Sequence, residues 1–238
     1  MDQAPLSQVR SAVYRPVRGQ NVLEETVSRL VQTLRLGVVA PGESLPSERE
    51  LATLFAVSRD TVREAIAELA VAGFLQRRRG RYGGTFVTDP LPRSSVPEAV
   101  SATELADVLE LRRVLECGAA RAAAERSLTA GQRAELRSLC DSLAAADETQ
   151  YRRLDSRLHL TIAELSGINS LVELIAENRA RVNTWLDTFP LLPRNIEHSN
   201  DQHERIVSAI LAGRPEETEG AVREHLSGSA ALLRGFLA

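Results

Sequence analysis

The chain has 238 residues, enough for two compact domains, with 43% apolar, 26% charged and only 4% aromatic residues. No run approaches the roughly 18 uninterrupted apolar residues of a membrane span, and residues 1–20 lack the apolar core of a secretory signal, so a cytoplasmic protein with no membrane partner is expected. The net charge of −3 hides +3 over residues 1–88 against −6 over 89–238, and a basic front end suits a module that touches a polyanion.

In chain order, residues 1–20 read as a variable segment. Asn21 can cap a helix carrying Val22, Val27, Leu30, Val31 and Leu34, which Gly37 ends. After the Pro41-Gly42 turn, Ser47-Glu48-Arg49-Glu50 has the form of a capping box, in which side chain and backbone satisfy each other's free groups, and starts a short helix to Phe55. Ala56 and Val57 form a tight connection, Ser58 can cap again, and Val62, Ile66 and Leu69 line a third helix stopped by Gly73. Phe74-Leu75 and Thr85-Phe86-Val87 then read as two short strands around an arginine- and glycine-rich tip, Arg77 to Gly84. Helix, turn, helix and wing thus occupy residues 21–88.

Pro90, Pro92, Ser94, Ser95 and Pro97 interrupt regular structure, which makes 89–102 a linker. From residue 103 to 238 the pattern is helical throughout, with helices expected near 103–127, 130–146, 148–166, 170–187, 196–213 and 215–236. The fold class is therefore mainly α: an N-terminal winged helix-turn-helix and a C-terminal all-α bundle. Cys117 and Cys140 match no zinc or redox spacing and read as small helical residues.

A recognition helix needs exposed donors at its N-terminal end and an apolar face behind. Ser58-Arg59-Asp60-Thr61-Val62-Arg63 meets that need: Arg59 and Arg63, one turn apart, suit guanine edges or phosphates, Ser58 and Thr61 suit backbone oxygens, and Arg49 adds a contact from the preceding helix. Arg63, Arg77, Arg78, Arg79 and Arg81 crowd one surface and repel one another unless a polyanion lies nearby. The run Pro41 to Ala52, then Val57 to Ala65, then Leu69 to Leu75 and the wing, resembles the GntR family. That resemblance implies DNA contacts at Arg49, Ser58, Arg59, Thr61 and Arg63, with Arg79 and Gly80 at the wing tip.

In the helical half, Asp155 and His159 stand at i and i+4, so both project from one face and can grip one ion. His203 falls on the stripe of Ile206, Val207 and Ile210, and His225 on that of Val222, Leu226 and Ser229. Three histidines thus point inward, whereas His198 lies well around its helix. Arg112 sits on the stripe of Leu105, Val108, Leu109, Leu115 and Ala119, where a guanidinium needs a carboxylate: Glu116 one turn on, or that of a ligand.

These features are similar to the FCD ligand-binding domain of the FadR-type GntR subfamily, on Glu110-Leu111-Arg112, Leu115-Glu116, Asp155, His159, His203 and His225. The resemblance implies an antiparallel helical bundle, a homodimer, and a divalent metal on Asp155, His159, His203 and His225, zinc first with nickel or manganese as alternatives. It further implies a small organic acid meeting Arg112. Two positions depart from the family pattern: Leu158 precedes the histidine where Phe is usual, and Ile168 separates Gly167 from Asn169. The expected function is a repressor released by that acid from a pseudo-palindromic double-stranded operator. The alternative is a metal-dependent enzyme fused to a DNA-binding module.

Overall fold

The computed structural model describes residues 22–78, 80, 83–92, 100–188, 191 and 193–237. It divides the chain into an N-terminal and a C-terminal compact unit at residues 93 and 94. Asn21, Arg79, Arg81 and residues 93–99 of the expected linker lie outside the described residues.

The N-terminal unit begins with α1 (Val22–Arg35), which buries Leu30 and Leu34. α2 (Glu48–Phe55) starts on the expected capping box, with Glu50 N–H donating to Ser47 Oγ and Ser47 N–H donating to the Glu50 carboxylate. It ends at Ala56, which adopts the left-handed conformation at φ 54° and turns the chain sharply into α3 (Arg59–Val71). Ser58 caps α3 through Thr61 N–H, and Val62, Ala65, Ile66 and Leu69 form its buried face.

The wing pairs β1 (Leu75–Arg78) with β2 (Gly84–Val87) in antiparallel register from Leu75 opposite Val87 to Arg78 opposite Gly84. Arg77 and Arg78 therefore belong to the strand, not to the tip where the sequence placed them, because their backbones pair with Thr85 and Gly84 while their side chains stay exposed. The 42–45 segment adds a third edge through Leu45 N–H to Thr85 O and Val87 N–H to Glu43 O.

The C-terminal unit consists of α4 (Ala102–Glu125), α5 (Ala130–Ala144), α6 (Tyr151–Leu165), α7 (Asn169–Leu186), α8 (Pro193–Leu211) and α9 (Pro215–Leu237). α4 is the central element, packed against α9, α7, α6 and α8, and its alanines 119, 120, 123 and 124 let neighbours approach closely. α6 starts three residues later than expected because the Asp147 carboxylate accepts from Thr149 and Gln150 N–H and holds a turn there. Leu158 is fully buried in the main core. Gly167 sits at φ 74° under the Arg126 guanidinium, so a side chain at that position would collide with it. Among the described residues no helix is long and apolar enough to cross a membrane.

Candidate functional site

Three helices converge on one buried cluster of four side chains. α6 supplies Asp155 and His159 one turn apart, α8 supplies His203 and α9 supplies His225, and one ligand-type atom of each lies within 4.8 Å of all the others. The imidazole centroids are 4.4 Å apart for His203 and His225, 5.2 Å for His159 and His225, and 5.6 Å for His159 and His203. Asp155 Oδ1 lies 3.3 Å from His203 Nε2 and 3.7 Å from His159 Nε2. His198 lines the rim of the adjoining cavity, not the cluster.

The hydrogen bonds around the cluster orient its rings. His159 Nδ1 lies 2.6 Å from Glu116 Oε2 and His225 Nδ1 lies 3.1 Å from Gln202 Oε1. Glu116 and Gln202 thus face the Nδ1 side of the two rings, the arrangement of a histidine oriented by a second group for metal binding. His159 Nε2 and both ring nitrogens of His203 are buried without a hydrogen bond among the described residues. Buried polar atoms are rarely left so. Burial, then His203 and His159, push His225 well below the ordinary histidine range, and burial lowers His203 as well, so both rings are neutral near pH 7. A divalent ion fits this donor set. With bonds of about 2.1 Å, two tetrahedral ligand atoms lie about 3.4 Å apart, so the widest pair would close by up to about 1.4 Å.

Arg112 is buried at the inner wall of the adjoining cavity, which has a volume of about 250 Å³. Its Nε donates to Glu116 Oε1 at 3.0 Å and its Nη1 to Ser229 Oγ at 3.0 Å, while Nη2 makes no hydrogen bond among the described residues. Both partners that the sequence offered are thus compatible: Glu116 takes one edge of the guanidinium, and the other borders the cavity. Asp155 and His225 open onto the same space, beside Asn183, Ser199 and Gln202. The Tyr151 hydroxyl is buried at this wall.

Sequence reasoning missed Arg179. This fully buried guanidinium on α7 donates Nη1 to Glu116 Oε1 at 3.1 Å and Oε2 at 3.3 Å, and Nη2 to Asp155 Oδ2 at 2.5 Å. Burial opposes ionisation of both acids. Arg112, Arg179 and His159 nevertheless hold the Glu116 carboxyl well below its usual range, and Arg179 and His159 do the same for Asp155. The two acids in turn raise Arg179 against its own burial. Within this network two guanidiniums, Arg112 and Arg179, face two carboxylates, Glu116 and Asp155. A signal for Arg179 was available, since Val172, Ile175, Ala176, Val182 and Asn183 make a buried stripe through position 179. Gln202, the orienting partner of His225, was missed as well.

On the N-terminal unit, Arg49, Ser58, Arg59 and Arg63 are exposed and Thr61 is half-buried, its hydroxyl 2.8 Å from Ser58 Oγ. Arg63 pairs with Asp60 and Glu48, and Glu48 also reaches to 3.8 Å from Arg77 on β1. Arg78 lies over the Phe86 ring at 4.4 Å. Gly80 is exposed at φ 111° with open space around it. Arg79 lies outside the described residues.

Residues 23–87 match the bacterial regulatory proteins of the gntR family, and residues 107–228 match the FCD domain. The chain belongs to the GntR family. It is 32% identical over 233 residues to the transcriptional repressor NanR of Cronobacter sakazakii, covering 92% of this chain and 87% of that one. It is 29% identical to the putative transcriptional regulator RmpR of Mycobacterium gastri, covering 91% and 82%. The fold of E. coli McbR/YncC is similar at a TM-score of 0.58 with 21% identity, over 90% of this chain and 98% of that one. As a GntR-family FCD regulator the chain is a DNA-binding transcriptional regulator and not an enzyme, which sets aside the metalloenzyme alternative.

Proposed function

We propose that this GntR-family regulator is a homodimeric repressor that a small organic acid releases from its operator. The acid binds beside a divalent metal in the helical half. The winged module spans 21–88, the linker 89–102 and the sensing domain 103–238. Asp155, His159, His203 and His225 would hold the metal, and zinc, nickel and manganese are the candidates. The reading is carried by one observation: an inward-facing set of three imidazoles, two with unsatisfied ring nitrogens, beside a carboxylate and next to a cavity with Arg112 at its wall.

Charge balance explains why the effector should be an anion. Arg112 and Arg179 offset Glu116 and Asp155, so a divalent ion leaves the buried cluster with two surplus positive charges. When bound, the ion supplies Lewis acidity that attracts a carboxylate oxygen. Arg112 offers the free edge of its guanidinium to the same carboxylate. Glu116 and Ser229 keep that guanidinium in place, Glu116 and Gln202 keep the imidazoles aimed, and Arg179 holds Asp155 ionised. Asn183, Ser199 and Tyr151 also line the cavity and would meet the rest of the molecule, Asn183 through its carbonyl oxygen because its amide nitrogen donates to Ser156 Oγ.

At the other end, Arg49, Ser58, Arg59, Thr61, Arg63, Arg79 and Gly80 form the proposed DNA surface. A dimer presents two recognition helices, so its operator has two-fold pattern. Regulation requires that the acid bind DNA-competent and DNA-incompetent arrangements unequally. Elemental analysis of wild type, His159→Ala and His225→Ala after loading and dialysis tests the metal centre. One metal per chain is expected in wild type and almost none in either variant. Equal content in all three would remove the site.

A further inference from the structure

Asp60 is an acid on the surface that meets a polyanion. Its side chain is 89% exposed in the first turn of α3, between Arg59 and Thr61. An acid there favours the helix dipole, but Ser58 already caps this end through Thr61 N–H, and every nearby phosphate would repel it. All three nitrogens of the Arg63 guanidinium are engaged by two carboxylates. Nη1 donates to Asp60 Oδ1 at 2.9 Å, while Nε and Nη2 donate to Glu48 Oε2 at 3.3 and 3.2 Å. Glu48 is rooted at the start of α2, so the arrangement ties Asp60 to the first helix of the motif through Arg63. Asp60 Oδ2 accepts no hydrogen bond among the described residues.

An ionised carboxylate only accepts, and in the major groove the donors are the exocyclic amino groups, N4 of cytosine and N6 of adenine. Guanine O6 and thymine O4 would set oxygen against oxygen. We infer that Asp60 is a specificity-determining residue: its free oxygen accepts from a cytosine or adenine amino group in each half-site, and the Glu48–Arg63 pair holds it in position. The acid gives up general affinity for DNA and gains rejection of the wrong base. The inference rests on α3 being the helix that enters the groove.

Selection from randomised duplexes tests it with no operator specified in advance, using the full-length wild type, Asp60→Ala, Asp60→Asn and Arg59→Ala. Wild type is expected to fix cytosine or adenine at one position of each half-site. Asp60→Ala should keep the rest of the pattern and lose that position, where discrimination falls from about 5- to 150-fold to nearly none. Asp60→Asn, which can also donate, should shift the position towards adenine. Identical patterns from wild type and Asp60→Ala would overturn the inference. So would loss of all sequence preference by folded Asp60→Ala and Asp60→Asn, which would make the acid a structural brace. If Arg59→Ala leaves both pattern and affinity unchanged, α3 is not the reading helix and both proposals fall together.

Discussion

Replacing Arg179 by methionine keeps most of the side-chain volume and removes the charge that joins Glu116 to Asp155. Glu116 retains Arg112 at 3.0 Å and His159 at 2.6 Å, but Asp155 loses the guanidinium at 2.5 Å and is left facing the imidazoles of His159 and His203. Breaking a buried pair by removing one partner costs about 3–5 kcal/mol, because the charge left behind is neither solvated nor neutralised. For a chain of this size that lowers Tm by roughly 6–20 °C. Two additions should reverse part of the loss. A divalent ion at Asp155 supplies the missing positive charge, so saturating zinc should restore several degrees more to the variant than to wild type. Asp155→Asn in the Arg179→Met background should also recover stability, since it removes the stranded charge. Circular dichroism melts in chelator and in zinc, on the two single variants and the double, measure both effects. An Arg179→Met protein that melts within about 2 °C of wild type in chelator would show that the Arg179 bridge does not stabilise the cluster. A deficit identical with and without zinc would refute the link to the metal site.

Arg112→Met should cost less, about 1–3 kcal/mol, because Glu116 keeps two partners. Its main effect should be on the acid, weakened by about 2–5 kcal/mol, or about 30-fold to several thousand-fold. Calorimetry with a panel of small carboxylates would reject the role of Arg112 if affinity is unchanged in a variant that melts normally. Arg59→Ala and Arg63→Ala should each weaken operator binding by about 1–3 kcal/mol. Full affinity in the double variant at moderate salt would count against the helix assignment. In the metal-free protein, stability should fall as the pH drops below 6.5. His203 and His225 stay neutral in the fold while the unfolded chain takes up protons, at about 1.4 kcal/mol per pH unit for each group. The Asp155 and Glu116 carboxyls, held low in the fold, add a further loss below about pH 4. A Tm that stays flat from pH 7.5 to 5.5 would contradict the neutral-imidazole reading.

What the sequence disclosed depended on how local each signal was. The capping box at Ser47 and Glu50, the Ser58 cap and the stripe of Val62, Ile66 and Leu69 are decided within a few residues, and the helix-turn-helix was legible from them. Arg112 was flagged because a charge interrupts an apolar stripe, and its partner Glu116 lies one turn away. Arg179 obeys the same rule, but Glu177, Asn178 and Arg181 beside it make its segment look like a solvated face. Its partners stand 24 and 63 residues away, so only folding brings them together. The same distance concealed the bond from Gln202 to His225. At the wing, the pattern placed Arg77 and Arg78 in the tip because arginine is no strand signal; backbone pairing with Gly84 and Thr85 puts them in β1.

Under the proposed function, occupancy of the cavity beside Asp155, His159, His203 and His225 governs DNA binding. Fluorescence anisotropy of a selected operator duplex with metal-loaded full-length protein, titrated with the acid panel, tests it most directly. At least one acid should release the duplex from wild type at concentrations that leave the Arg112→Met complex intact. Operator affinity that no acid changes, with metal present or removed, would rule out that coupling.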